Sequence, residues 1–348
     1  MAHELHIEDG KAAMMYVGEV PWHGLGTQLS NPPSAEEAIK AASLDWRVVK
    51  KEIYAKDGQV WYRVPEQHAL VREDLWGTER CTLFATVSED YVPLQNSEAF
   101  SFFDKLIKRK SATYETAGAL GDGERVWVLA KLGEDIDIAK DDAVQRYILL
   151  FNGHDGKTSV RVLFTPIRVV CNNTLTWALR DAETEFRAYH GPSLHKRLDE
   201  LGDQLDQMLD QYNSLACSFQ KMVNTPMKNG GLGKYLEFVF PTPKRRNLTE
   251  KNFEEAVQEN QRRRDCSARL FEIGKGNTNS AVRGSLWAAY NGVTEWADHH
   301  ANYRNRFQRF RDLFFGDVAR TKTRALGGAL ELIGDFKTHQ PPIDPSTN

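Results

Sequence analysis

The chain is poor in the features that make a function easy to read. Its four cysteines, Cys81, Cys171, Cys217 and Cys266, stand far apart among 348 residues and form no C-x-x-C pair. That spacing argues against a zinc ribbon and a disulfide framework, and predicts reduced, mostly buried thiols in a cytoplasmic protein. No run approaches the ~18 apolar residues expected of a spanning helix, so no membrane partner is expected. The first residues, MAHELHIEDGKAAMM, have neither a basic nor an apolar region of the kind a secretory signal needs. No G-x-x-x-x-G-K-[ST] loop, G-x-S-x-G elbow or G-x-G-x-x-G turn occurs, which speaks against a P-loop ATPase, an α/β-hydrolase and a dinucleotide enzyme. Charge of one sign is also scarce: the net charge is -3, so no global basic field points to nucleic acid.

What is present is a chain 41% hydrophobic and 27% charged, enough for a sizeable core under a soluble surface. Its length allows two domains, or one α+β unit with a helical extension. Charge is uneven along it. Residues 244–324 hold 17 Lys+Arg against 10 Asp+Glu, and residues 183–210 hold 3 against 7. A basic patch on a nearly neutral protein is therefore allowed, as are ordinary solvated helix faces.

Residues 1–45 read as an irregular segment with one short helix, where Ser34 and Glu37 form a capping box. From Trp46 onward strand signals dominate. Lys56-Asp57-Gly58 between two β-rich runs predicts a hairpin. His68 to Arg72 and Thr82 to Val87 read as two more short strands. Phe100, Phe103, Leu106 and Ile107 then recur at helical spacing. Thr113–Leu120, Arg125–Leu132, Gln145–Phe151 and Thr158–Thr165 predict a four-stranded antiparallel meander, with the Ser97–Lys110 helix on one face. After Cys171 the period becomes helical. A helix of roughly 30 residues begins near Leu194. A second is expected over Leu248–Ile273, a third from Ser285 to Asp312, and a shorter one over Ala319–Phe336. The expected fold is α+β: an antiparallel core over 46–182, a helical region over 183–336 and a disordered tail over 337–348.

Five motifs, in order, carry a likeness. They are Pro21-Trp22-His23-Gly24-Leu25-Gly26; Tyr91-x-Pro93-Leu94-Gln95-Asn96; Glu115-Thr116-Ala117-Gly118 with Gly123-x-Arg125-Val126-Trp127; His154-Asp155-Gly156 with Pro166-x-Arg168-Val169-Val170-Cys171-Asn172-Asn173-Thr174-Leu175; and Ala288-Ala289-Tyr290-Asn291-Gly292-Val293-Thr294-Glu295. As a set they resemble the phage/plasmid-like proteins grouped as domain of unknown function 932, over about residues 18 to 330. The resemblance implies a mobile-element origin and a nucleic-acid setting. It carries over no catalytic residue.

The residues themselves offer several candidate sites. Alternation along the meander can place Arg125, Trp127 and Lys131 on one face, with Arg161 and Arg168 nearby, while Val126 and Val128 pack inward. Cations for phosphates and rings for bases are what a single strand requires; ordinary surface ion pairs would use the same residues. His154 and Lys157 would sit at a reachable hairpin tip. Asn172, Asn173 and Thr174 would cap a helix whose N-terminus, beside Arg168, could receive an anion. Arg304, Arg306, Arg309 and Arg311, interleaved with Tyr303, Phe307 and Phe310, form the densest basic-aromatic stretch. Cys171 lacks a named base, so it is a weak nucleophile candidate. Glu295 and His299 share a helical face that could contribute to a metal site, without a third ligand.

These readings converge on a protein with no cofactor that binds single-stranded DNA in recombination, annealing or replication. Possible self-association, up to a ring, would extend the groove. The rivals are a metal-dependent nuclease or nucleotide-modifying enzyme using His154, Asp155 or Glu295 with His299, and an oligomeric interaction protein that counters a host defence.

Overall fold

Alternating apolar residues from Thr113 to Arg168 build the centre of one large sheet. A computed structural model describes residues 5–18, 24–109, 112–168, 173–174, 185–228, 230–245, 249–302 and 316–335. Within it, β8 (Thr113–Leu120), β9 (Arg125–Ala139), β10 (Asp142–Gly153) and β11 (Val160–Arg168) form the expected antiparallel meander. The sheet grows beyond it on both sides to eight strands. The segment read as irregular supplies β3 (Met14–Val17), antiparallel to β8, and β4 (Thr27–Leu29), parallel to β3. Ahead of them, β1 (Ile7–Glu8) and β2 (Lys11–Ala12) make a small hairpin. On the far side β12 (Asn173–Thr174) and β13 (Glu185–Ala188) both pair with β11. Met-Met-Tyr-Val shows no alternation because both of its faces are covered: Met14, Met15 and Tyr16 are all buried.

The inner face is apolar. Val126, Val128 and Ala130 of β9, Ile148 and Leu150 of β10, and Val162 and Phe164 of β11 join one buried cluster. Three helices close it: α1 (Ala35–Ala41), α2 (Asn96–Arg109) and the start of α3 (Leu194–Val223). The capping box of α1 is formed, with Ser34 Oγ accepting from the Glu37 N–H at 3.3 Å and Glu37 accepting from the Ser34 N–H at 2.8 Å. In α2, Phe100, Phe103, Leu106 and Ile107 are all buried, as their spacing requires, and Asn96 and Ala99 are buried with them.

A second core lies among helices. The far end of α3 (Leu215, Phe219, Met222) packs with α4 (Gly231–Val239), α5 (Glu250–Ile273), α6 (Leu286–Glu295) and α7 (Asp317–Leu332). Ile138 and Val144, at the far end of the β9–β10 pair, reach into the same cluster. At 1.5 Å per residue α3 is roughly 45 Å long, and it serves both cores. The helix expected to run unbroken from Ser285 changes at its end: α6 passes into a π-helical turn over Trp296–His300.

A second, three-stranded sheet is made of β5 (Val48–Asp57), β6 (Val60–Arg72) and β7 (Leu83–Ser88), and its Val48, Leu70 and Val87 join the core of the larger sheet. His68 to Arg72 is not a strand of its own. It continues β6 through a bulge, where Glu52 faces His68 but Tyr54 already faces Arg63. Pro65 has no N–H for the ladder and Glu66 takes φ +58°, so the strand deforms there rather than ending. Cys81, Cys217 and Cys266 are free thiols, as expected, but Cys217 is exposed and the other two only partly covered.

The crossing of α5 and α6 depends on one glycine. A Cβ at Gly292 would lie 2.7 Å from the Ser267 carbonyl oxygen and 3.0 Å from the Phe271 nitrogen, both main-chain atoms. Gly292→Ala should therefore cost about 1–3 kcal/mol of stability by overpacking, read as a lowered midpoint in urea denaturation. An unchanged midpoint would show that the two helices have room to part.

Candidate functional site

The end of β10 brings two of the sequence motifs together. Asn152 and His154 sit two apart, are fully buried, and reach the segment Tyr91 to Asn96. Asn152 Nδ2 donates to the Leu94 carbonyl at 3.0 Å, and Asn96 Nδ2 donates to the Leu44 carbonyl at 3.0 Å. Asn96 Oδ1 is thereby left as an acceptor 3.2 Å from His154 Nε2. His154 must carry its proton on Nε2, which makes Nδ1 an acceptor with no partner among the described residues. The ring lies between Trp46 and Phe84, at centroid distances of 5.8 and 6.3 Å. Burial drives its pKa from 6.5 down to about 3, helped by nearby His190 and opposed by Asp155. His154 is thus a neutral core residue, not the reachable tip its turn sequence suggested. Gly156 and Lys157 are the exposed residues of that turn, so Lys157 is its one exposed cation.

Asp155 is equally committed. Oδ1 accepts from the main-chain N–H groups of Lys157 (3.0 Å) and Thr158 (2.7 Å), while Oδ2 accepts from Arg125 Nε (3.1 Å) and Thr158 Oγ1 (2.9 Å). Burial alone would raise this carboxyl; the hydrogen bonds from Thr158, Lys157 and Arg125 outweigh it and hold it below the usual range. The Arg125 side chain, paired with Asp155 and 3.6 Å from Glu124, is a structural cation.

Of the other meander candidates, Trp127, Lys131 and Arg161 share the outer face, as alternation predicts. Trp127, Phe151, Arg161 and Arg187 lie side by side across β9, β10, β11 and β13. Their chemistry is less open than expected. Trp127 lies against Gly118, where a Cβ would come within 2.3 Å of the ring, and its Nε1 donates to Thr116 Oγ1 at 3.2 Å. Phe151 is buried. Lys131 pairs with Asp135 at 3.1 Å, and Arg161 Nε donates to Ser159 Oγ at 3.4 Å.

At the expected helix entrance, Asn173 and Thr174 form a short strand opposite Arg168 and Ile167; the residues that would form the helix lie outside the described ones. The side chains of Arg168 and Asn173 lie outside the described residues, as do Cys171 and Asn172 entirely. Arg304, Arg306, Arg309 and Arg311 also lie outside them, as does the Pro21-Trp22-His23 part of the first motif.

In the helical body, Glu295 is buried and accepts from the N–H groups of Lys275 (3.1 Å) and Gly276 (3.2 Å), while His299 is exposed. The two do not converge, and no group of three potential metal ligands does among the described residues. The conspicuous Ala288–Glu295 motif is a packing device. Asn277 Nδ2 bonds the carbonyls of Leu270 and Ala288, tying α5 to α6, and Asn291 reaches Asn277 Oδ1. Nearby, Asp298 and Lys322 form a buried ion pair.

The most open aromatic surface lies where the sequence reading looked for nothing but a hairpin. Beyond the end of β7, β5 and β6 continue as a two-stranded arm. Trp61 is 61% exposed, Tyr62 55% and Tyr54 48%; Trp76, at the base, is 49%. Lys56 lies 5.3 Å from the Trp61 ring centroid and Lys51 lies 5.4 Å from that of Trp76. One signal could have found it: Val60-Trp61-Tyr62-Arg63 is too aromatic for a strand with nothing to cover it.

The structure is thus that of an α+β protein, with a mainly β N-terminal part and a mainly helical C-terminal region. A family model described as Domain of unknown function (DUF932) matches residues 83–319, more than half of the chain, and the chain belongs to that family. The match takes in four of the five motifs, whereas the arm and the Pro21–Gly26 motif precede it. No curated protein and no solved structure matches the chain.

The buried imidazole makes stability depend on pH. Unfolded His154 titrates near 6.5 and folded His154 near 3, so only the unfolded chain gains the proton between them. The native state should lose about 1.4 kcal/mol per pH unit from this residue as pH falls from ~6.5 toward ~3. His154→Gln should flatten that part of a stability-versus-pH curve, measured by denaturant titration. A variant curve parallel to the wild type would contradict the assignment.

Proposed function

We propose that the chain binds single-stranded nucleic acid, with DNA in recombination, annealing or replication as the favoured setting, and that the arm is its principal described contact. The observation that carries this reading is the set of half-exposed rings at Tyr54, Trp61, Tyr62 and Trp76, two of them with a lysine alongside. Rings accept unstacked bases whatever their sequence, and a neighbouring ammonium can turn from ring to phosphate. The meander supplies less than its composition promised, because Arg125 and Lys131 are engaged in ion pairs. A catalytic role for His154 and Asp155 gains no support from their surroundings: one is sealed from solvent and both oxygens of the other are already bonded twice.

Fluorescence anisotropy with a labelled oligothymidylate tests the proposal. Trp61→Ala and Trp76→Ala should each weaken binding about tenfold, within the ~1–3 kcal/mol reported by alanine substitution at stacking residues. Lys131→Gln should leave affinity unchanged. If Lys51 and Lys56 meet phosphates, losing both should make the logarithmic salt dependence shallower by about 1.4, at about 0.7 per phosphate. No binding at low salt, or binding indifferent to both tryptophans, would overturn it.

A further inference from the structure

Among the described residues no strand pairs with the outer edge of β5: the sheet order is β5-β6-β7. At its start the Gln95 side chain takes the Val48 N–H and C=O, both at 2.9 Å, so the edge without a strand partner is the part from Lys50 along the arm. An edge this long is normally blunted, because its unpaired N–H and C=O groups recruit other strands. The free edge of β6 beyond β7 is blunted, by Pro65 and by the positive φ of Glu66. Along the arm β5 carries no proline and no such turn. It carries charges instead, and their order is unusual.

The seven residues centred on Tyr54 read Lys51-Glu52-Ile53-Tyr54-Ala55-Lys56-Asp57. Reverse this string and lay it antiparallel on itself, as a two-fold axis through Tyr54 would. Lys51 then meets Asp57, Glu52 meets Lys56, Ile53 meets Ala55, and Tyr54 meets its own copy. Every charged residue faces an opposite charge, and no like charges meet. A slip of one residue in one direction sets Lys51 against Lys56; a slip in the other sets Glu52 against Asp57. Either slip also turns each side chain toward the wrong face. The charges that would repel an arbitrary strand therefore admit a second β5 in this register.

We propose that two copies of the chain associate through β5, antiparallel about Tyr54, joining their three-stranded sheets into one of six strands. The faces agree with this. Glu52, Tyr54 and Lys56 share one side, so the Tyr54 pair would be flanked by two Glu–Lys pairs. On the other side two Ile53–Ala55 pairs would be flanked by Lys51–Asp57 pairs. Such a contact is isologous, the commonest form of homodimer. The partners Glu52 already has, Tyr54 at 2.7 Å and Arg63 at 2.8 Å, lie on the exposed side of the arm and leave the main-chain edge open. A lone two-stranded ribbon is marginal in water, and a third and further strands supply what it lacks. The proposal does not depend on nucleic-acid binding.

Sedimentation velocity on the full chain tests it through charge exchange. The wild type should show a concentration-dependent dimer. Glu52→Lys sets two lysine pairs against each other and Lys56→Glu sets two glutamate pairs, so each variant alone should sediment as a monomer with an unchanged circular dichroism spectrum. Mixed in equal amounts, the two should recover dimer, because each Lys then meets a Glu. A wild type that stays monomeric at the highest soluble concentration would overturn the proposal. So would single variants that still dimerise, which would place the contact elsewhere, or a mixture that fails to recover dimer.

Discussion

The start of α2 is held to the end of β10 by three side chains that share no charge. Asn152 and Asn96 donate to the main-chain carbonyls of Leu94 and Leu44, and His154 is fixed between Asn96 and two aromatic rings. Buried polar groups of this kind are costly when unmatched and strongly directional when matched. Because α2 covers the inner sheet face with Phe100, Phe103, Leu106 and Ile107, its placement decides whether that core closes. The adjoining turn follows from the same anchor. A Cβ on Gly156 would stand 3.1 Å from Ala85 Cβ, so the turn lies directly against β7 and brings the smaller sheet alongside the larger one. Arg72 adds a second tie there: it is buried, paired with Glu8 and Asp74, and set over the Trp46 ring.

Much of this architecture could be read from the residues. The meander declared itself through alternation and two glycine-bearing turns, and α3 through its leucine spacing. The N-terminal strands did not, because Met14 to Val17 is covered on both faces and so has no period to detect. The continuity of β6 was hidden by Pro65, ordinarily a sign that a strand has ended. The candidate site was legible as a list of residue types but not as a set of partners. His154 next to Asp155 suggested acid–base chemistry, yet one points into the core and the other gathers the turn around itself. Neighbours in a chain diverge in space, and only the register of β9, β10 and β11 reveals which cations are already spoken for.

A division of labour results. The body of the molecule employs its arginines and carboxylates internally, as at Arg125 with Asp155, and its family motifs appear as devices that hold elements together. The arm, which precedes the family match, carries the cluster of open rings, while Tyr189 and Phe238 are single exposed rings within the match. Motifs typical of a family and surfaces open for recognition therefore lie in different parts of this chain, joined by β7 and the turn beside it.

The length of α3 has a mechanical meaning. Leu194, Leu198 and Leu201 belong to the sheet core, while Leu215, Phe219 and Met222 belong to the helical one. Near its end, Lys221 and Ser218 are bonded to Asp335, just beyond α7. A continuous hydrogen-bonded rod clamped at both ends does not let its two bodies loosen independently. Tilting it at the sheet displaces the apolar residues at its other end, so a load applied to one half of the molecule is felt in the other without any hinge between them.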